Sequence, residues 1–331
     1  MLNCLAYGQR SAITQVSGDQ QHGSPPNRPN SRNTLPRSIW PIAAVQPFNP
    51  SLRLQSRPAF GLCTKSCSGV STLPGVKLPE QLAEALAAGT DAEDSNLLTL
   101  PQRATNWHFY NRNKKLEPFW FANRSLDVIF SKRIEKLNAL LAKPDADPVE
   151  VYEQAGRVLH YIQDMSVPGH VIPAYHAKLP GNHSDPFDEF ESIEALPVFD
   201  LSDTQCQALR DEADKADANP RRFLDAAATA TLQAIEQIDA AGKPVVDGAW
   251  NAYWVYPARD TDEARKGWGQ YGTCEFAKGN VNAGCKREEE LVTLFEQQSR
   301  QAQRNSVLML FYVQKKLAKA GQKNASAMAN Q

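Results

Sequence analysis

No stretch of the chain approaches the roughly 18 consecutive apolar residues of a membrane-spanning helix, so an integral helical membrane protein is not expected. Neither sign of charge is in excess: 36 Lys and Arg stand against 37 Asp and Glu, a formal net charge of −1. A chain that coats polyanionic nucleic acid carries a basic surplus, and stable nucleic-acid binding is therefore not expected. Cysteine is sparse, with six in 331 residues. Cys63 and Cys67 are four apart, but no second close pair matches them, which argues against a zinc ribbon. Cys274 and Cys285 flank a Gly- and Asn-containing loop and could be bridged in an oxidising compartment. Runs of alternating or β-branched residues are also too few to build a sheet. What is present, 42% hydrophobic residues, suffices for a core.

Acidic residues are nearly absent from the first 75 positions. There Asp19 alone faces Arg10, Arg28, Arg32, Arg37, Arg53, Arg57 and Lys65, and the same segment holds nine of the 22 prolines. Its apolar residues keep no helical or strand period, too little to offset ordering entropy, so residues 1–75 are expected to be a disordered or leader-like Pro/Ser/Arg-rich segment. Met1 to Val16 shows no basic region followed by 7–15 apolar residues, the mark of a secretory signal. A targeting leader, a solvated tail and a non-natural start site remain three readings of this segment.

From residue 76 to 331 the periodicity changes to that of helices. Leu82 and Leu86 suggest a short helix stopping at Gly89. Asp127 to Lys143 spaces Val128, Ile129, Ile134, Leu137, Leu140 and Leu141 helically and ends before Pro144. A third helix is expected to start at Asp147-Pro148, an acidic cap with a first-turn proline, and to end near Val167-Pro168. Arg221 to Ala241 and Glu288 to Lys319 complete the set, with a Gly- and Trp-rich stretch of little pattern over Val245 to Gly284. The fold class expected is all-α.

Histidine is concentrated: five of the six lie between His108 and His183. His160 and Asp164 are four apart on the third helix and so project from one face, one turn apart. His170 follows past the proline, then His176 and His183, with Asp185, Asp188 and Glu189 just after. Imidazole nitrogen with carboxylate oxygen is a donor set that zinc accepts. A His–Asp pair at this spacing is more often a simple ion pair; the additional histidines and acids raise the metal reading. His176 fits no ligand spacing and is left outside the candidate set.

The run Leu159-His160-Tyr161-Ile162-Gln163-Asp164-Met165-Ser166-Val167-Pro168-Gly169-His170 resembles the core motif H-Y-x-x-D-x-x-x-P-x-H of the zinc-dependent phospholipase C family. Those enzymes share a helical fold and a three-zinc cluster with the S1/P1-type nucleases. Trp107-His108-Phe109-Tyr110 resembles the family's H-F-Y/W ligand segment, and Gly89 to Asp94 its Gly-containing, aspartate-delivering turn. His183-Ser184 with Phe187-Asp188-Glu189-Phe190 resembles H-S-x-x-E-x-F with one residue too many. The resemblance spans roughly residues 80–195. It implies one zinc on Asp94, His108, His160 and Asp164, with Asp164 bridging toward a second ion. That second ion would take His170, His183 and a carboxylate, Asp188 ahead of Glu189. It further implies a metal-activated hydroxide attacking phosphorus in line, with Asp94 and Asp164 as the catalytic carboxylates.

Family members complete the remaining zinc with an N-terminal Trp and a His shortly after it. Here no His lies between His22 and His108, and Trp40 is followed by none, so two or three Zn2+ ions are expected. The expected activity is a phospholipase C-like phosphodiester hydrolase acting on a phospholipid or another phosphodiester, with contact to a membrane surface. Trp107, Phe109, Tyr110, Phe119, Trp120 and Phe121 are either its lipid-facing mouth or, more ordinarily, core. An S1/P1-type nuclease or nucleotidase, and a catalytically degenerate metal-binding helical protein, are the alternatives. The resemblance also implies a secreted or periplasmic location.

Overall fold

The computed structural model describes residues 78–95, 108–118, 125–176, 185, 187, 201–217, 219–256, 261–274 and 285–329. The expected N-terminal segment 1–75 lies outside them. Among the described residues the chain is mostly helical, in accord with the all-α expectation. The elements are α1 (Glu80–Ser95), α2 (Leu126–Leu141), α3 (Pro148–Asp164), α4 (Pro168–Val171), α5 (Asp203–Ala216), α6 (Arg221–Ala234), β1 (Trp254–Val255), α7 (Asp262–Lys266), β2 (Gln270–Tyr271) and α8 (Glu288–Ala329). No helix among the described residues is long and apolar enough to cross a membrane.

α3 is the central element. The Asp147 carboxylate accepts from the Val149 N–H at 2.9 Å and Pro148 sits in the first turn, where its missing N–H is harmless. From Val151 to Asp164 nearly every side chain is buried, because α1, α2, α6 and α8 all pack against α3. Its apolar face joins Leu137, Leu140, Leu224, Leu308 and Phe311 in one continuous core. At its C-terminal end the Thr231 hydroxyl of α6 donates to the Met165 carbonyl at 2.6 Å, and the Gln163 amide donates to the Ser306 hydroxyl of α8 at 2.9 Å. The carbonyl at the C-terminal cap of α3 thus finds a partner on α6, and the Gln163 side chain ties the same end to α8.

Two expectations are corrected. The first helix does not stop at Gly89; it runs on to Ser95. Gly89 is there for contact, since a Cβ at that position would stand 1.9 Å from the Glu153 carbonyl oxygen of α3. The helix over Asp203–Ala216 was not anticipated, although Ser202 and Gln205 form a reciprocal capping box, a start signal readable in the sequence. The patternless stretch contains α7, ended by Gly267 at φ +86°, and the two-stranded antiparallel β1–β2 ladder pairing Trp254 with Tyr271. Cys274 and Cys285 are bridged, tying the exit of β2 to the entry of α8.

Candidate metal centre

His160 and Asp164 emerge from the last turns of α3, so the helix that is most deeply packed fixes both. His108 comes from an irregular segment held by backbone bonds. The Tyr110 N–H donates to the His170 carbonyl at 2.9 Å, and the Leu126 N–H donates to the Phe109 carbonyl at 2.9 Å. The first of these draws the His108 segment onto α4, which carries His170. Phe109 wedges edge-on against the His170 ring and against Trp268, in a small separate apolar cluster with Leu116.

Three side chains converge. His108 Nδ1 lies 2.7 Å and His160 Nε2 3.5 Å from Asp164 Oδ2. One ligand atom from each of His108, His160 and Asp164 falls within 4.8 Å of the others. His170 adds its Nδ1 at 3.6 Å from the other carboxylate oxygen, Asp164 Oδ1. The His108 ring centroid is 5.3 Å from that of His160 and 5.6 Å from that of His170. Asp164 is thus the hub, presenting one oxygen to each side of the cluster.

Electrostatics agree with that geometry. Burial disfavours the Asp164 charge, but His160, His108 and His170 crowd around it and hold its carboxyl far below the usual aspartate range. Burial pushes the His170 imidazole down to about 3, against the opposing pull of Asp164. At neutral pH the site is an ionised carboxylate beside a neutral imidazole, the protonation states in which both ligate a metal. His108 is the most open of the three converging side chains, at 18% exposure against 8% for His160 and 11% for Asp164.

The structure brings together four of the sequence-predicted site residues: His108, His160, Asp164 and His170. Asp94 belongs to the end of α1, but its side chain is outside the described residues, as are His183, Asp188 and Glu189. Phe109 and Tyr110 prove fully buried, so those two are core and not a lipid-facing mouth. The aromatics Trp107, Phe119, Trp120 and Phe121 lie outside the described residues.

Two features lie outside the set of residues expected from the sequence. The first is Glu93, whose buried carboxylate receives the Arg157 guanidinium at 2.8 Å, that of Arg133 at 2.8 Å and the Tyr161 hydroxyl. Despite burial, the Tyr161 hydrogen bond and the two cations hold its pKa below the ordinary 4.5. This network anchors the residue before Asp94 to the residue after His160. The second is His176, next to His170 and linked through Tyr271 to Asp185. The closeness of His176 to His170 in sequence was a usable signal; for Tyr271, in a stretch without period, there was none.

No family model, no curated protein and no solved structure matches the chain. The functional reading therefore stands on the site and on the motif resemblance.

Proposed function

We propose that the protein is a zinc-dependent phosphodiester hydrolase of the phospholipase C type. The observation that carries this reading is the convergence of His108, His160 and Asp164, three residues 56 and 4 positions apart in sequence, on one buried donor set. Their chemistry fits a zinc ion, which takes imidazole nitrogen and carboxylate oxygen as donors; these three would hold it, with Asp94 the further ligand that the resemblance implies. Held there, zinc would polarise a phosphoryl oxygen and lower the pKa of a water from 15.7 toward about 7.

The chain's own residues set up the rest. Asp164 orients His108 through the 2.7 Å contact and carries the negative charge that favours a cation over an empty site. Its Oδ1 lies 3.6 Å from His170 Nδ1, the side on which the resemblance implies a second ion. α3, clamped on four sides, keeps His160 and Asp164 fixed, so little reorganisation accompanies substrate binding. Asp94, at the end of the helix that Glu93 anchors, is the carboxylate we assign to proton handling. With no basic excess in the chain, a lipid-type phosphodiester suits it better than a nucleic-acid strand.

The decisive experiment is elemental analysis of zinc per chain after EDTA treatment, removal of EDTA and zinc addition. The expected result is at least one zinc in the wild type and loss of the tightest-bound ion in His160→Ala and Asp164→Ala. Loaded wild type should then hydrolyse a p-nitrophenyl phosphodiester or phosphatidylcholine vesicles. A wild type that takes up no zinc would overturn the proposal.

A further inference from the structure

The turn that carries His170 is held by the β1–β2 ribbon and the residues beside it. Tyr271 of β2 donates its hydroxyl to Asp185 Oδ2 at 2.6 Å, and the Phe187 N–H donates to Asp185 Oδ1 at 2.7 Å. Gly169, immediately before His170, lies against that carboxylate. A Cβ there would stand 2.2 Å from Asp185 Oδ2 and 3.4 Å from the Tyr271 hydroxyl oxygen. Two more bonds reach the same turn. The Tyr256 hydroxyl donates to the Val171 carbonyl at 3.0 Å, and the Gly269 N–H donates to the Pro173 carbonyl at 3.1 Å. The ribbon is itself anchored by Trp254, which is fully buried and pairs with Tyr271.

His176 completes this packing. Its ring and that of His170 lie within 8° of parallel at a centroid spacing of 5.4 Å, so their in-plane lone pairs cannot meet on one ion. His176 Nδ1 is 3.0 Å from the Ala174 carbonyl oxygen and 2.9 Å from the Tyr271 hydroxyl oxygen. A carbonyl only accepts, and the hydroxyl has committed its proton to Asp185, so the His176 N–H donates to both. The imidazole is thereby locked as a wall beside His170.

What the turn fixes extends beyond His170. The His170 carbonyl accepts from the Tyr110 N–H at 2.9 Å, so the segment carrying His108 rests on α4. A shift of α4 therefore displaces His170 and His108 together, while His160 and Asp164 stay where α3 builds them. The donor atoms of His108, His160 and Asp164 lie within 4.8 Å of one another, and a metal site tolerates little loosening of such a set. We propose that Tyr271 and Asp185 are positioning residues for the candidate centre. Their hydrogen bond holds α4 at the place from which the His108 segment reaches Asp164 and His160. The inference rests on the metal-dependent reading above and concerns the ion that those three residues would hold.

The test uses the full chain, stripped with EDTA, freed of it and titrated with zinc chloride against a chelating dye. Tyr271→Phe deletes one hydroxyl, and Gly169→Ala displaces the Asp185 carboxylate by a different route. Both should weaken binding of the tightest zinc by roughly tenfold, the lower end of the loss usual when supports behind metal ligands are removed. Tyr312→Phe, which deletes the hydroxyl bonded to Asn138 on α2, should leave that affinity unchanged. Tyr271→Phe combined with Asp185→Asn should lose no more than the larger single loss, since the two act as one unit. Urea unfolding of each metal-free variant keeps the comparison to folded protein. In metal-free Tyr271→Phe labelled with 15N histidine, the His108 and His170 ring resonances should move further than that of His160. Wild-type zinc affinity in Tyr271→Phe and Gly169→Ala, with an unmoved His108 resonance, would overturn the assignment and leave the metal reading intact. An equal loss in Tyr312→Phe would also overturn it, reducing Tyr271 to a contributor to general stability. A wild type that binds no zinc would overturn both readings.

Discussion

At the scale of single residues, Glu93 shows how a carboxylate beside a candidate ligand serves structure rather than chemistry. Its side chain is 1% exposed and faces two guanidinium groups, from Arg133 on α2 and Arg157 on α3, plus the Tyr161 hydroxyl. Removing one member of a buried ionic group leaves the others uncompensated, which typically costs about 3–5 kcal/mol. Arg133 and Arg157 keep some solvent access, at 23% and 16%, so Glu93→Gln belongs at the lower end, about 3 kcal/mol at neutral pH. Urea unfolding of the metal-free protein measures this directly. A loss under about 1 kcal/mol would mean that the network is no more than a surface ion pair. The same substitution leaves every candidate metal donor in place. It should therefore weaken zinc binding only by loosening the end of α1 on α3.

At the scale of elements, the contact of α1 with α3 decides where the site can form. The two helices approach until backbone touches backbone: a Cβ on Gly156 would stand 2.0 Å from the Leu86 carbonyl oxygen and 2.9 Å from the Thr90 nitrogen. The Thr90 hydroxyl stitches the same crossing by donating to the Gly156 carbonyl at 3.2 Å. Glycine in a helix interior ordinarily lowers stability by about 1 kcal/mol relative to alanine, so Gly156→Ala would stabilise an exposed helix. Here it should destabilise by about 2–3 kcal/mol through overpacking, read as a lower midpoint in thermal or urea unfolding. A rise in the midpoint would show that the helices separate freely. This crossing also marks the limit of what was legible in the sequence. Apolar spacing located α2, α3, α6 and α8 because each buries a periodic face, and Asp147-Pro148 announced the start of α3. Gly89 read as a terminator since local chemistry cannot tell a helix end from a close packing partner. His160, Asp164 and His170 were legible because one helix and its proline break hold them within a single motif. His176, Tyr271 and Asp185 meet only through folding of a patternless stretch, and no local spacing encodes that encounter.

Across the whole molecule, ionic ties join elements distant in sequence, and two of them, at Glu93 and Asp217, bear on the response to acid. Glu93 links α1 to α2 and α3. Asp217, at the end of α5, accepts from Lys316 and from Lys319 of α8, the latter at 2.8 Å. The Lys316 hydrogen bond, with that of Lys319, holds Asp217 down at about 2, against an ordinary value of 3.8. Glu93 is likewise depressed below 4.5, its hydrogen bonds and cations outweighing the opposing effect of burial. A carboxylate whose pKa is lower folded than unfolded contributes stability that is fully present above its unfolded value and lost as pH falls through its folded value. Stability from these groups should therefore be level between pH 7 and about 5 and then decline toward pH 2, by up to about 1.4 kcal/mol per pH unit for each proton taken up. Urea unfolding at pH 7, 5, 4 and 3, in EDTA so that bound metal does not contribute, tests the sign through the difference between wild type and Glu93→Gln, in which the shared contribution of the site residues cancels. Glu93→Gln should begin less stable than wild type at pH 7 and decline less steeply below pH 4.5, so that the two curves approach each other in acid. Parallel curves would show that Glu93 takes up no more protons on unfolding than a neutral amide does. The acid limb would then have to originate in other carboxylates, and the triad around Glu93 would owe its place to packing rather than charge.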